Sequence, residues 1–517
     1  MEIGDSRPGY RLKGAATRLL LLVGILLPLG GRAPAPPPVV RVQPALLTVA
    51  AAHPAQQVRV IVQKTTLDGG PEQQARDLGG RITQDLHLIH AFAAELPAGA
   101  VPALAAGAGI RWISLDAPVA ESASTAPVDL GALVGAYPQA VHAADLWNAT
   151  PALQGQGIGV AVVDSGINRG HPDLSGSRVI AQEKFNSDAS SMADQNGHGT
   201  HIAGIVAGNG SASEGAYVGM APQANLINVK VSDDDGAASA ADVVAGLQWI
   251  NDNKTLYNIR VVNISLNSSL VQSYHVDPID AAVEILWFNG IVVVTSAGNN
   301  STAKLSAPAN DPFVITVGAT DDRGTAGIGD DTVAPFSGYG TTLDGFAKPD
   351  LVAPGTNIIS LLASHGDTLV KEHRDHLVSG FPDARQYFRM SGTSMAAPVV
   401  AGAVALLLQA NPGLNPDQVK GVLKATAVHD PQVWPGYTSA QAGAGYLDIA
   451  AAVHAPVIPV ANTGTVASRL LWTGSQPLTW GSVSWNSVSW NSVSWNSVSW
   501  NSVSWNSVSW NSDYWGP

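Results

Sequence analysis

Four short, largely apolar runs mark out the middle of the chain, at residues 157–163, 225–231, 261–264 and 291–295. Runs so short and so rich in Val and Ile match parallel strands buried on both faces, not the alternation of a half-solvated sheet. Stretches of helical length lie among them, at 240–251, where Ser239 is placed as the cap, and at 277–288. Strands alternating with helices predict an α/β domain, doubly wound around a mostly parallel sheet. Farther on, 416–423 reads as a surface helix, and 443–448 leads into a last one.

The pattern differs before about residue 120. A strand at 58–62, a helix at 71–78, an alternating stretch over 81–96, a small helix at 100–106 and a strand at 110–115 follow one another. This β-α-β-β-α-β order is the ferredoxin-like arrangement. A small α+β unit is therefore expected over 55–120, ahead of the larger domain at 130–455.

Candidate chemistry gathers where the apolar runs end. Residues 391–398, Ser-Gly-Thr-Ser-Met-Ala-Ala-Pro, feed the apolar helix 399–408 and put Ser394 at or near a helix N-terminus, where unpaired N–H groups stabilise developing negative charge. An ordinary N-cap has the same composition, so the meaning of Ser394 depends on its company. A serine hydroxyl is a weak nucleophile that needs a base within hydrogen-bond reach, and the base needs a carboxylate. Asp164 ends the first apolar run, at the edge where open α/β sheets carry their sites. His198 lies in Asn196-Gly197-His198-Gly199-Thr200-His201, whose glycines allow close backbone approach and which opens a small-residue helix at 202–207. His198 and His201 also have the spacing of a metal pair, but no suitably spaced third ligand joins them and no metal is assigned.

The order Asp, His, Ser is that of subtilisin. On residues 163–166, 196–201 and 392–398, with His171-Pro172-Asp173-Leu174 and the segment 348–355 in support, the chain resembles the subtilases, the subtilisin-like serine peptidases, over about 146–453. The resemblance implies a triad of Asp164, His198 and Ser394, with Asn299 of Ser296-Ala297-Gly298-Asn299-Asn300 as an oxyanion donor beside the Ser394 N–H. It implies that Gly236-Ala237-Ala238 and Ser265-Leu266-Asn267 grip the substrate main chain as added strands, and it adds Ser296, Ala297 and Gly298 to the substrate-binding set. Asn267 stands where the family has glycine, so a narrowed primary pocket is expected. No cofactor is implied for the chemistry. The family's calcium loop corresponds to 208–215, which lacks the usual ligand pattern and leaves a structural calcium ion unassigned. By the same resemblance the ferredoxin-like unit is a propeptide, a chaperone and inhibitor whose end fills the cleft until it is cut. The small polar linker at 121–127 suits such a cut; a permanent accessory domain is the alternative.

Composition narrows the choices. The chain has 517 residues, room for two or three domains, and no cysteine, so neither disulfides nor a thiol nucleophile enter. A formal net charge of -13 speaks against nucleic acid as a partner. Arg7, Arg11, Lys13 and Arg18 precede an apolar core at 19–27, the layout of a secretory signal peptide within 1–35, or of an uncleaved anchor; both export the rest. From 456 the resemblance ends, and beyond Trp480 a Ser-Val-Ser-Trp-Asn repeat sets in. Its period of five fits neither helix nor strand, leaving a β-solenoid or a low-complexity tail, with glycan or cell-wall contact through the tryptophans as its suggested role. The expected function is a secreted, self-activated serine endopeptidase acting on proteins or peptides, with its own propeptide as inhibitor. A processing protease would differ only in specificity. The competing reading is a surface adhesion protein with a structural subtilase domain and a binding tail.

Overall fold

The computed structural model describes residues 41–66, 68–121, 134–175, 178–301, 305–378 and 386–471. The expected signal peptide, nearly all of the linker and the tryptophan repeats lie outside the described residues.

The first element, α1 (Pro44–Ala52), was not expected from the pattern. It is followed by β1 (Gln57–Lys64), α2 (Gly70–Asp77), β2 (Arg81–Leu86), β3 (Ala91–Pro97), α3 (Val101–Ala105) and β4 (Ile110–Leu115). The strands pair antiparallel in the order β2-β3-β1-β4. Alternation along β1 and β3 sends Val58, Val60, Val62, Phe92 and Leu96 to the three helices. The opposite face carries Ile61, Ala91 and Ala93, which with Leu88 and Ile89 join the core of the larger domain. The centre of this small sheet is therefore covered on both faces, one by its own helices and one by its neighbour. A last short strand, β5 (Pro118–Glu121), leaves the unit and pairs elsewhere.

The larger domain opens with α4 (Tyr137–Ala140) and α5 (Ala143–Trp147), then runs β6 (Gly159–Asp164), β7 (Val179–Lys184), α6 (His198–Ala207), β8 (Asn225–Lys230), β9 (Ala238–Ser239), α7 (Ala240–Asn253), β10 (Ile259–Ile264), β11 (Leu266–Ser268), α8 (Pro278–Phe288) and β12 (Val292–Ser296). There follow β13 (Ile315–Asp321), β14 (Thr332–Val333), the small pair β15 (Gly340–Thr341) and β16 (Ala347–Lys348), β17 (Leu351–Pro354), β18 (Ile358–Leu361), α9 (Thr368–Glu372), β19 (Tyr387–Met390), α10 (Thr393–Ala410), α11 (Pro416–Thr426), α12 (Ser439–Ala442) and α13 (Ile449–Val453). The main sheet has the order β14-β13-β12-β10-β6-β8-β7, with β17 beside β13. Its pairs are parallel apart from β13 with β14, so the chain has the doubly wound α/β fold expected of it.

The four apolar runs became β6, β8, β10 and β12. Ser239 caps α7 in a capping box with Asp242, and Asp277 caps α8 from just outside it, accepting from the Ile279 and Asp280 N–H groups. One expectation is corrected: α11 is not a surface helix. Val419, Lys420, Gly421, Val422 and Leu423 are buried, and a Cβ on Gly421 would meet the carbonyl oxygen of Pro459 at 2.2 Å. The chain beyond residue 456 lies over it.

Candidate active site

Asp164 is the last residue of β6, and its turn is closed by Gly166 at φ +120°, where a side chain would strain the backbone. His198 is the first residue of α6. Their side chains meet fully buried, His198 Nδ1 lying 2.7 Å from Asp164 Oδ1. An acid that sequence reasoning missed holds this juxtaposition. Asp194 Oδ1 accepts from the Ser165 hydroxyl and the Gly197 N–H, and its Oδ2 accepts from the N–H and hydroxyl of Thr200. It thus ties the turn after the carboxylate to the helix that carries the histidine. Only its position, four residues ahead of His198 in a polar loop, hinted at this. His201 is turned the other way, its Nε2 lying 3.1 Å from the Phe388 carbonyl, and burial and the His198 ring lower its pKa to about 3. It is a neutral core histidine.

Ser394 is the second residue of α10, a helix buried over nearly its whole length. Pro398, four residues on, has no N–H to offer the Ser394 carbonyl. Ser265 supplies the missing donor, its hydroxyl lying 2.9 Å from that carbonyl oxygen, and the Ser394 hydroxyl donates back to the Ser265 carbonyl at 3.1 Å. The serine is held from a neighbouring strand end instead of from its own helix.

Asn299 follows β12. Its Oδ1 accepts from the backbone N–H and the hydroxyl of Thr393, both at 2.9 Å. A backbone donor fixes which end of the amide is oxygen, so Nδ2 points the other way. That Nδ2 is buried without a hydrogen-bond partner among the described residues. In the same turn of α10, the Met395 and Ala396 N–H groups go to the Gly392 carbonyl. The Ser394 N–H belongs to that first turn, whose N–H groups have no partner within the helix. Two donors beside one hydroxyl make a place built for a negatively charged oxygen.

The predicted substrate strands divide their work. Ala238 lies in β9, while Gly236, at φ +92°, and Ala237 form the turn that delivers it. Of the second stretch, Leu266 and Asn267 lie in β11 (Leu266–Ser268), and Ser265 just before it pairs with Ser394. Asn267 folds its amide onto Ser296, donating to the Ser296 carbonyl at 3.0 Å and lying 3.2 Å from its hydroxyl. Ala297 continues the sheet by donating to the Val317 carbonyl, and the Gly298 N–H goes to the Thr393 hydroxyl. Between β9 and β11 lies β5, antiparallel to both: Val119 faces Ala238 and Ser268, Ala120 faces Asn267 and Glu121 faces Leu266.

The model of the subtilase family matches residues 155–448. Serine protease AprX of Bacillus subtilis (strain 168) is 44% identical over 305 residues, covering 57% of this chain and 67% of that protein. An alkaline protease of Alkalihalobacillus alcalophilus is 32% identical over 349 residues, covering 66% of this chain and 77% of its own. Among solved structures, fervidolysin from Fervidobacterium pennivorans, titled a keratinolytic enzyme related to subtilisin, superposes with a TM-score of 0.62 over 78% of this chain and 62% of that one, at 24% identity. At that identity the likeness speaks to the fold.

Proposed function

The chain belongs to the subtilase family and is a serine-type endopeptidase, and from that premise we propose that Ser394, His198, Asp164 and Asn299 carry the reaction. The Ser394 hydroxyl turns from the Ser265 carbonyl and attacks the peptide carbonyl, giving its proton to His198 Nε2. Asp164 holds the opposite ring nitrogen at 2.7 Å, which fixes the tautomer and stabilises the imidazolium as it forms. The oxyanion is received by Asn299 Nδ2 and the Ser394 N–H. His198 then returns the proton to the departing amine, and water releases the acyl group by the same steps. Subtilases need no cofactor for this chemistry. The observation that carries the assignment is the buried Asn299 donor, oriented by Thr393 and left open at the serine's turn.

We further propose that the chain is exported and that residues up to about the 121–127 linker are an inhibitory propeptide removed by the enzyme itself. Strand β5 supports this, since it lies between the two substrate grips as a peptide substrate would. Its register with β11 runs toward Ser265, the partner of Ser394, and so directs the cut just past Glu121. Asn267, closed onto Ser296, narrows the adjoining pocket and favours small side chains there.

The test is the intact mass of the secreted chain beside its Ser394→Ala variant, in a host without other extracellular proteases. The wild type should lose the segment up to the linker and the variant should keep it. Retention by both would sink the self-processing reading.

A further inference from the structure

Residues 459–471 run from the larger domain to the small one, in a stretch the family pattern does not reach. The first part is anchored on α11: the Ala461 N–H donates to the Asp417 carbonyl, and Asn462 Nδ2 to Asp417 Oδ1 and the Phe313 carbonyl, at 2.7 and 3.1 Å. The middle is fixed on α8 and the segment before it. The Tyr274 hydroxyl donates to the Val466 carbonyl at 2.6 Å, and the Ser468 N–H to both oxygens of the buried Glu284 at 2.9 and 2.8 Å. The last part crosses over: Arg111 on β4 donates to the Arg469 carbonyl at 2.6 Å, and Gln63 on β1 to the Leu470 carbonyl at 3.1 Å. Leu470 and Leu471 are buried in the core that spans both units. Those two carbonyls face the small unit, whereas the bonds before them belong to the larger domain.

We propose that residues 466–471 are a clasp, a docking surface whose partner is the chain's own N-terminal unit after it has been severed. The proposal rests on the reading that this unit is an inhibitory propeptide cut past Glu121. The cut removes the covalent link at one edge of the interface, next to β5, and leaves the clasp closed at another. Inhibitor release then requires Arg111 and Gln63 to give up the two carbonyls and Leu470 and Leu471 to lose their cover. Whatever displaces residues 466–471 opens the clasp and speeds activation.

The test uses the full chain carrying Arg111→Met, alone and with Gln63→Leu. Both changes lie in the severed unit, so the enzyme left afterwards has the wild-type sequence and the same kcat/KM. One charged and one neutral hydrogen bond lost should weaken retention of the cut unit by about tenfold or more. That is read as earlier elution of free unit on gel filtration and a shorter lag before activity. Arg111→Met alone keeps the question open to test if the double variant folds poorly, because Gln63 also bonds the Ile89 carbonyl. Wild-type lag and co-elution in both variants would overturn the clasp. Failure of the maturation reading looks different, as an uncut wild-type chain by mass. In that event the uncut Ser394→Ala chain decides: Arg111→Met should raise amide exchange at 466–471 and in β4 together, and unchanged exchange there would also overturn the proposal.

Discussion

Asn299 shows how a residue's two ends can be given separate tasks. Its oxygen is consumed by Thr393, and that bond aims a nitrogen that has no hydrogen-bond partner among the described residues. Replacing it with Ala should lower kcat by about 10²–10³ with little change in KM, the cost known for such a donor in subtilisin, a relative of this chain. Steady-state kinetics beside a thermal melt would check it, and a loss of only a few-fold would dismiss the role. At this scale the sequence was most readable where chemistry demands a rare residue in a tight setting. Asp164, His198 and Ser394 end or begin elements and sit among glycines, so their neighbourhoods declare them. Asp194 does the comparable service of joining two of those neighbourhoods, yet its loop looks like any solvated turn. Nothing local says that a carboxylate will be 4% exposed and accept four bonds.

Elements impose a different constraint, the distance at which α6 and α10 pass. A Cβ on Gly402 would lie 2.4 Å from Met220 Cβ and 3.2 Å from the Val206 carbonyl oxygen, and one on Gly204 would lie 2.4 Å from Leu361 Cγ. Approach at Gly402 sets α10, which bears Ser394, against Val206 of α6 and against Met220, and approach at Gly204 sets α6, which bears His198, against β18. Gly402→Val should therefore destabilise the chain by about 1–3 kcal/mol through overpacking. The urea midpoint of the variant in a Ser394→Ala background checks this without self-digestion; an unchanged midpoint would show that the contact yields freely. Central strands and long helices were legible because burial on both faces writes continuous apolar runs. The edge strand β7 was not, since half-covered Val179–Lys184 carries Gln, Glu and Lys. Nor was β5, whose four residues become a strand only between β9 and β11. The reading of α11 failed for a related reason: its cover comes from a segment forty residues or so farther on, with no periodicity to announce it.

Across the whole molecule, the interface between the two units holds a group that titrates in an accessible range. His87 lies 3.0 Å from Asp252 on α7 and 3.6 Å from Asp85. Burial opposes its charge, but the two carboxylates outweigh burial and raise its pKa to about 9. A raised value means that docking gains its full ionic contribution below the free histidine's 6.5 and loses it as pH rises through about 9. Release of the cut unit should accordingly quicken as pH rises from about 6.5 to about 9, and His87→Gln should flatten that dependence, as gel filtration across the range would show. The ring is partly exposed, so salt will mute the effect. The feature with the widest reach is β5, which on the propeptide reading proposed above makes the first substrate and the first inhibitor parts of one polypeptide. While the linker is whole, strand and cleft meet at an effective concentration set by the tether, of millimolar order for a short flexible connection. Once it is cut, the same contacts answer to the bulk concentration of the two fragments. The enzyme would then stay silent where it is crowded with its own product and wake where it is diluted, which makes distance from the site of synthesis a timer written into the covalent chain.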